Sequence, residues 1–354
     1  MKIAMIGHKR IPGREGGVEV AVEELSLHMA AMGHDVTVYN RSKRGFAKAS
    51  EYKGVHIITV PTIDSKNLDA VIYSFLATIH ALFCHYDIIH YHSEGPCAFL
   101  WILKLFGKRV IVTVHGLDWQ RCKWGKFASR FIHYGEKTAA KYADEIIVLS
   151  QNTNKYFLDQ YGRKTHYIPN GVGEPNIRKA KIIKEKWGLD KDNFILYLAR
   201  IVPEKGLHYL LDAFRTIDTN KRLVIAGESS HTNDYVEKIK NLAADDDRVL
   251  MTGFVKGEVL EELYSNCYVY VLPSDVEGMP LTLLEAMSYG CRCLVSDIPE
   301  NAEIAANHAR LFEHGNVSSL RETLIQQLFN DECPQNNCNL YDWIYVAKEI
   351  QNVY

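Results

Sequence analysis

The stretch "EGMPLTLLEAMSYG", Glu277 to Gly290, places two carboxylates eight positions apart around the start of an apolar run. Pro280 suits the first position of a helix, Gly290 suits its stop, and Leu281, Leu284 and Met287 give it a buried stripe. Glu277 then lies just outside the helix start and Glu285 in its second turn. One ligand at the helix mouth can touch both while unpaired backbone N–H groups face an anion. A surface helix with a capping acid has the same pattern. Upstream, "YLARIVPEKGLHYLLDAF" sets Arg200 and Lys205 between a strand and a helix, at a spacing that lets both cations reach one diphosphate. Solvated surface charge is the alternative there. In "VTVHGLDWQRCKWG" a strand ends at His115, Gly116 and Asp118, where a histidine can bond a sugar hydroxyl or sit packed in a core. Gly16 and Gly17 precede a helix expected from about Val18 to Met32 and can bring backbone close to a phosphate or sugar, or simply end the strand before them.

These residues need strand ends to hold them. Short β-rich runs alternate with helical patterns along the chain: "KIAMI", "DVTVY", "VHIITV", "DIIHYH", "RVIVTVH" and "EIIVLS", then "FILYLAR", "RLVIAG", "RVLMTG", "CYVYVLPS" and "RCLVSD". Near-continuous apolar strands separated by helices indicate parallel sheets covered on both faces. The expected fold is α/β, two Rossmann-like doubly wound domains facing across a cleft, with ligands beyond the carboxyl ends of the strands. The Pro, Gly and Asn of "YIPNGVGEPNIRKAK", residues 167 to 181, place the connection there. The expected domains are therefore 1–170 and 171–339.

Composition narrows the function. The formal net charge is -2, yet residues 1 to 170 hold 22 Lys/Arg against 15 Asp/Glu and the remainder 41-22=19 against 43-15=28, so the halves carry +7 and -9. The first half should face the more negative partner. Eight cysteines without a regular framework fit a reduced, cytoplasmic setting, and no partner ligands for a metal stand near Cys291 and Cys293. No metal and no cofactor are expected. The first ten residues lack the long apolar centre of a cleavable signal, and "AVIYSFLATIHALFC" is too short for a membrane span of about 20 residues. The loop at Gly16 is not the G-x-G-x-x-G of a dinucleotide site, which argues against an NAD enzyme.

In combination, these motifs make the chain similar to the retaining family-4 glycosyltransferases of the GT-B fold, of the type found in bacterial polysaccharide assembly. The Glu-x7-Glu motif of that family is met by Glu277 and Glu285, and its Arg-x4-Lys-Gly by Arg200, Lys205 and Gly206, with Ala199 where the family usually has Gly. The resemblance implies that Arg200 and Lys205 bind the donor diphosphate, Glu277 the hydroxyls of the donor sugar, and Glu285 the ribose. Gly278, Met279, Pro280 and Leu281 join them at the helix mouth, and Gly253, Phe254 and Val255 line the base. It implies further that Gly16 and Gly17 approach the donor, that His115 contacts the sugar, and that the closing segment, 340–354, is a helix returning to the first domain. Glu277, His115, Arg200 and Lys205 are the expected catalytic set.

The implied reaction moves a hexose or rhamnose from a nucleoside-diphosphate-sugar to an acceptor hydroxyl with retention, by front-face attack, without a metal. Cations and helix-start N–H groups would meet the leaving diphosphate. The partners are that donor and a glycan or lipid-linked acceptor, with no nucleic acid. A nucleotide-sugar epimerase or hydrolase of the same fold, or a non-catalytic sugar-nucleotide binding protein, are the alternatives. From Trp119 to Tyr142, Arg121, Lys123, Lys126, Arg130, Lys137 and Lys141 face Glu136 alone, with Trp119, Trp124, Phe127, Phe131 and Tyr134 interleaved. With Asp118 this stretch is the expected acceptor side or inner-membrane patch. An ordinary helix with its aromatics in the core is the other reading.

Overall fold

Alternation of β-branched and aromatic residues with polar turns dictates where the chain extends. The structure, a computed structural model, describes residues 1–14, 16–42, 49–63, 68–120, 125–229, 233–306, 308–329 and 341–354. Two compact units result, one of Met1–Gly171 with Tyr341–Tyr354 and one of Val172–Leu340.

In the first unit the order is β1 (Lys2–Ile6), α1 (Gly17–Ala31), β2 (Asp35–Arg41), β3 (Glu51–Tyr52), β4 (Val55–Val60), α2 (Leu68–Phe83), β5 (Ile88–His92), α3 (Leu100–Leu105), β6 (Val110–Val114), α4 (Lys126–Tyr142), β7 (Glu145–Val148), α5 (Gln151–Tyr161) and β8 (His166–Tyr167). Short 3-10 turns stand at Gly95–Phe99 and Asp118–Gln120. The sheet runs β3-β4-β2-β1-β5-β6-β7-β8, parallel except for the β3–β4 pair. The chain winds outward on one side of β1 and then crosses back to β5, so the switch point lies between those two strands. Ile89 and Tyr91 point into a core with α2, α3 and α4, through Tyr73, Ala77, Leu103 and Ala139. His90 and His92 alternate to the opposite face.

The second unit continues with α6 (Ile182–Trp187), β9 (Phe194–Leu198), α7 (Leu207–Phe214), β10 (Arg222–Ala226), α8 (Asn233–Ala244), β11 (Val249–Gly253), α9 (Glu258–Asn266), β12 (Val269–Leu272), α10 (Leu281–Ser288), β13 (Cys293–Ser296), α11 (Pro299–Ala305), β14 (Arg310–Phe312) and α12 (Val317–Phe329). Its six strands are all parallel, in the order β11-β10-β9-β12-β13-β14. The period of two along β9 builds both cores. Ile195 and Tyr197 meet α7 and α12, while Phe194 and Leu196 meet α9 and α10. Leu283 and Met287 anchor α10, each such burial contributing roughly 1.5–3 kcal/mol. The last helix, α13 (Trp343–Val353), belongs to the first unit and packs on α1.

Three features differ from the expectations. β3, β8 and β14 have only two, two and three residues, too few to leave an alternating signature. The expected connection starts inside the first unit's core, since Tyr167 is in β8 and Ile168, Pro169, Asn170 and Gly171 are buried. Pro280 is the N-cap of α10, one position before the first helical residue, with an extended ψ of 103°.

Candidate active site

The second sheet switches direction at β9, which lies between β10 and β12, and the charged motifs follow the carboxyl ends of β9 and β12. After β9 come Ala199, partly buried Arg200, and a short turn at Pro203–Lys205. Gly206 closes that turn at φ 65°, and a Cβ there would lie 1.8 Å from the Pro273 carbonyl oxygen. Only glycine allows the turn to lie flat against the end of β12. Lys205 is thereby brought to Glu277: its Nζ donates to Oε1 at 2.5 Å, with side-chain exposures of 12% and 5%. Ser274 Oγ donates to the same oxygen at 2.7 Å. A buried ion pair with a second hydrogen bond holds its geometry because removal of either charge leaves the other unpaired in low dielectric.

Glu285 sits on the next turn among tyrosines. Tyr264 Oη donates to its Oε2 at 3.0 Å, and burial pushes that phenol well above its ordinary value, so it remains a donor. Tyr270 Oη donates to Thr282 Oγ1 at 2.8 Å, fixing the first turn of α10, whose N-terminus has no side-chain cap. Gly278, Met279 and Pro280 form the approach, and Leu281 is the first residue of the helix, packed inward. Gly253 ends β11 at φ 73°, Phe254 beside it is 46% exposed, and Val255 is partly buried. The structure thus joins Lys205 to Glu277 directly and gives Glu285 separate partners.

Gly16, Gly17 and His115 belong to the first unit. Gly16 is the N-cap of α1 and Gly17 its first residue, one position before the expected start, again without a side-chain cap. Glu19 and Glu23 in the first turns accept from the Lys9 and Gly13 N–H groups at 3.2 and 3.1 Å and so brace the loop before the helix. His115 follows β6 and its Nε2 lies 3.1 Å from Nδ1 of His92. His92 in turn stacks on His90, with ring centres 4.3 Å apart. His90 bonds Thr113 Oγ1 and Tyr354 Oη, both at 2.7 Å. His8, at the end of β1, bonds Asn40 Oδ1 at 3.0 Å. Burial lowers His8 to about 4 and His90 to about 3, and holds His92 well below 6.5, so these rings are neutral at pH 7. Among the described residues no group of three or more His, Cys, Asp or Glu is arranged to hold a metal ion.

Residues 179–341 match the model of glycosyl transferases group 1, and residues 15–173 match that of glycosyltransferase family 4. The chain belongs to the family-4 glycosyltransferases. An uncharacterized glycosyltransferase of Methanocaldococcus jannaschii is 24% identical over 391 residues, spanning 100% of this chain and 98% of its own. The UDP-Gal:alpha-D-GlcNAc-diphosphoundecaprenol alpha-1,3-galactosyltransferase of Escherichia coli is 27% identical over 293 residues, covering 76% of this chain and 75% of its own. Sucrose-phosphate synthase from Thermosynechococcus elongatus superposes with a TM-score of 0.84 at 20% identity, over 100% of this chain and 98% of that one. The fold of this glycosyltransferase is GT-B.

On the expected acceptor or membrane patch, Arg121, Lys123 and Trp124 lie outside the described residues. Lys126, Phe127, Arg130, Tyr134, Lys137 and Lys141 form one exposed stripe along α4 at helical spacing. Trp119 and Phe131 do not join it. Trp119 is half-buried and its Nε1 donates to Glu136 Oε2 at 2.8 Å, while Phe131 turns towards Phe99, 6.1 Å away. Glu136 is fully buried, so it does not oppose the cations of the stripe. Asp118 lies in the turn after β6, its N–H donating to Glu94 at 3.0 Å.

Several residues of these sites escaped the sequence: His8, His92, Glu94, Ser274 and Tyr264. The polar residues of "HYHSEG", following an apolar run directly, were the available signal for His92 and Glu94.

Proposed function

We propose that this glycosyltransferase transfers a hexosyl or rhamnosyl group from a nucleoside diphosphate to a hydroxyl of a glycan or lipid-linked acceptor, in cell-surface polysaccharide synthesis, with retention. The observation that carries the reading is the Lys205–Glu277 pair at the switch point of the second sheet, with Arg200 on the adjoining strand end. Arg200, Lys205 and the uncapped start of α10 would meet the diphosphate charge without a metal. Glu277 Oε1 accepts from both Lys205 and Ser274, which suits a carboxylate that orients sugar hydroxyls better than one that attacks carbon. In the proposed step the bond from C1 to the phosphate oxygen breaks and the bond to the acceptor oxygen forms on the same face. The acceptor proton passes to the departing phosphate oxygen. Exposed Phe254 supports a base-stacking role, and Glu285 a role in holding the ribose.

The name of the Escherichia coli relative specifies a UDP-sugar and a diphospholipid-linked acceptor. On that precedent the first pair to test is UDP-galactose and GlcNAc-diphosphoundecaprenol. The cationic stripe of α4, with Phe127 64% and Tyr134 52% exposed, supports peripheral contact with an anionic membrane face from the cytoplasm. A thermal-shift screen of UDP, GDP and dTDP and their sugars tests the donor class, since a ligand at about 100 times its Kd adds about 2.7 kcal/mol. Proton NMR of the product then reads the anomeric configuration. Absence of stabilisation by every nucleoside diphosphate, or an inverted product, overturns the reading.

A further inference from the structure

Two carboxyl groups that the proposed chemistry does not use meet in the interior of the first domain. Glu94 follows β5 and Glu136 lies in α4, and both are fully buried. They meet because α4 runs directly over the Gly95–Phe99 turn. A Cβ at Gly135 would lie 2.1 Å from the Glu94 carbonyl oxygen, so no larger residue permits this approach.

The hydrogen bonds assign the proton. Glu136 Oε2 accepts from Trp119 Nε1 at 2.8 Å, and its Oε1 accepts from Tyr156 Oη at 2.8 Å and from Tyr161 Oη. With three donors on its two oxygens, Glu136 is the accepting partner. Glu94 Oε2 accepts from the Asp118 N–H at 3.0 Å, but its Oε1 meets no donor among the described residues. That oxygen is satisfied if it carries a proton and donates to Glu136, the buried carboxyl that the packing of α4 on the Gly95–Phe99 turn brings beside it. Two ionised carboxylates side by side in a dry interior would repel strongly. Burial, then Glu136 and Asp118, hold Glu94 well above the usual carboxylate range. Among the described residues, the other titratable groups facing the pair are Cys97, His133, Tyr156 and Tyr161.

We infer that Glu94 is a positioning residue held as a neutral acid, linking the Asp118–Gln120 turn to the charged Glu136 and thereby fixing the acceptor side of the enzyme. The link is double, because Glu94 takes the Asp118 N–H while Glu136 takes the Trp119 indole. Ser129 Oγ closes the turn from α4 by donating to the Trp119 carbonyl at 2.9 Å. The inference rests on the proposed transferase function and on the expected place of Asp118 at the acceptor side.

Glu94→Gln is the test of the proton. Its amide offers an oxygen to Asp118 and an N–H to Glu136, so transfer stays within about twofold of the parent. Glu94→Ala removes both bonds and lowers transfer roughly tenfold or more by misplacing the turn, with UDP affinity by calorimetry unchanged. The second readout is stability against pH. Because the native acid is raised above its ordinary 4.5, the folded chain binds more protons than the unfolded one above that pH, and stability falls as pH rises towards the native value. Gln cannot titrate. The melting temperature of Glu94→Gln relative to the parent therefore climbs from pH 5 to pH 9. A flat difference, or a Gln variant as defective as Ala, overturns the neutral-acid assignment, and this comparison stands even if Ala fails to fold. Weakened UDP binding in Glu94→Ala with acceptor kinetics intact overturns the acceptor-side role and leaves the proton assignment in place.

Discussion

Both domains end their parallel strands in polar side chains, yet the two edges hold opposite kinds of chemistry. In the second domain Lys205 and Glu277 stand buried as ions, stabilised by each other and by Ser274. In the first, His8, His90 and His92 are buried and kept neutral, and Glu94 is paired so that one proton serves two carboxyls. Burial drives a titratable group to its neutral form, as it does these histidines, unless a partner of opposite sign within reach keeps the charge, as Lys205 does for Glu277. An edge of ions suits an anionic donor, whereas an edge of neutral donors and acceptors suits the hydroxyls of an acceptor.

The largest effect should follow from breaking the ion pair. Lys205→Met leaves Glu277 buried without its cation and should cost about 3–5 kcal/mol, measured by urea unfolding. The double variant Lys205→Met, Glu277→Leu should recover part of that loss. A silent Lys205→Met would mean that charge does not hold the second edge. Next in size is Glu277→Gln, which keeps the bulk of the side chain but loses its charge. We expect turnover to fall roughly 10²–10³-fold, about 2.7–4 kcal/mol, while UDP still binds in calorimetry. Turnover near the parental rate would remove Glu277 from the chemistry.

The neutral edge is probed by acid. His8 is lowered from 6.5 to about 4 by burial, so the unfolded chain takes up the proton first. Stability is fully present above pH 6.5 and drains as pH falls towards 4, reaching a loss of about 2 kcal/mol by pH 5 from this group. His8→Gln should flatten that part of the profile in thermal melts between pH 7 and pH 5, and an unchanged slope would show that His8 is not buried neutral. The smallest effect concerns the surface of α4. Lys126→Glu with Arg130→Glu should weaken sedimentation with anionic vesicles, each cation contributing about 1 kcal/mol, and added salt should reduce parental binding. Equal pelleting on neutral and anionic vesicles would confine the stripe to a solvated helix face.

Much of this molecule was legible before its structure. The runs that became β1, β2, β4–β7 and β9–β13 are long enough to register as near-continuous apolar strands, and they indicated parallel sheets and two doubly wound domains. Short β3, β8 and β14 exist because a neighbouring strand offers free backbone groups, which no local pattern encodes. On α4 the sequence contained every cation and aromatic of the stripe, but not that Trp119 and Phe131 turn inward.

By itself the sequence determined which residues could carry charge, where strands end, and, through Gly206 and Gly290, where the backbone can turn. These follow from the chemistry and geometry of single residues and their near neighbours. Only the tertiary structure decided the partners: Lys205 with Glu277 across 72 positions, Glu285 with Tyr264, His115 with His92, and Glu94 with Glu136. The state of a titratable group depends on what fills the few ångströms around it, and packing between distant segments sets those neighbours.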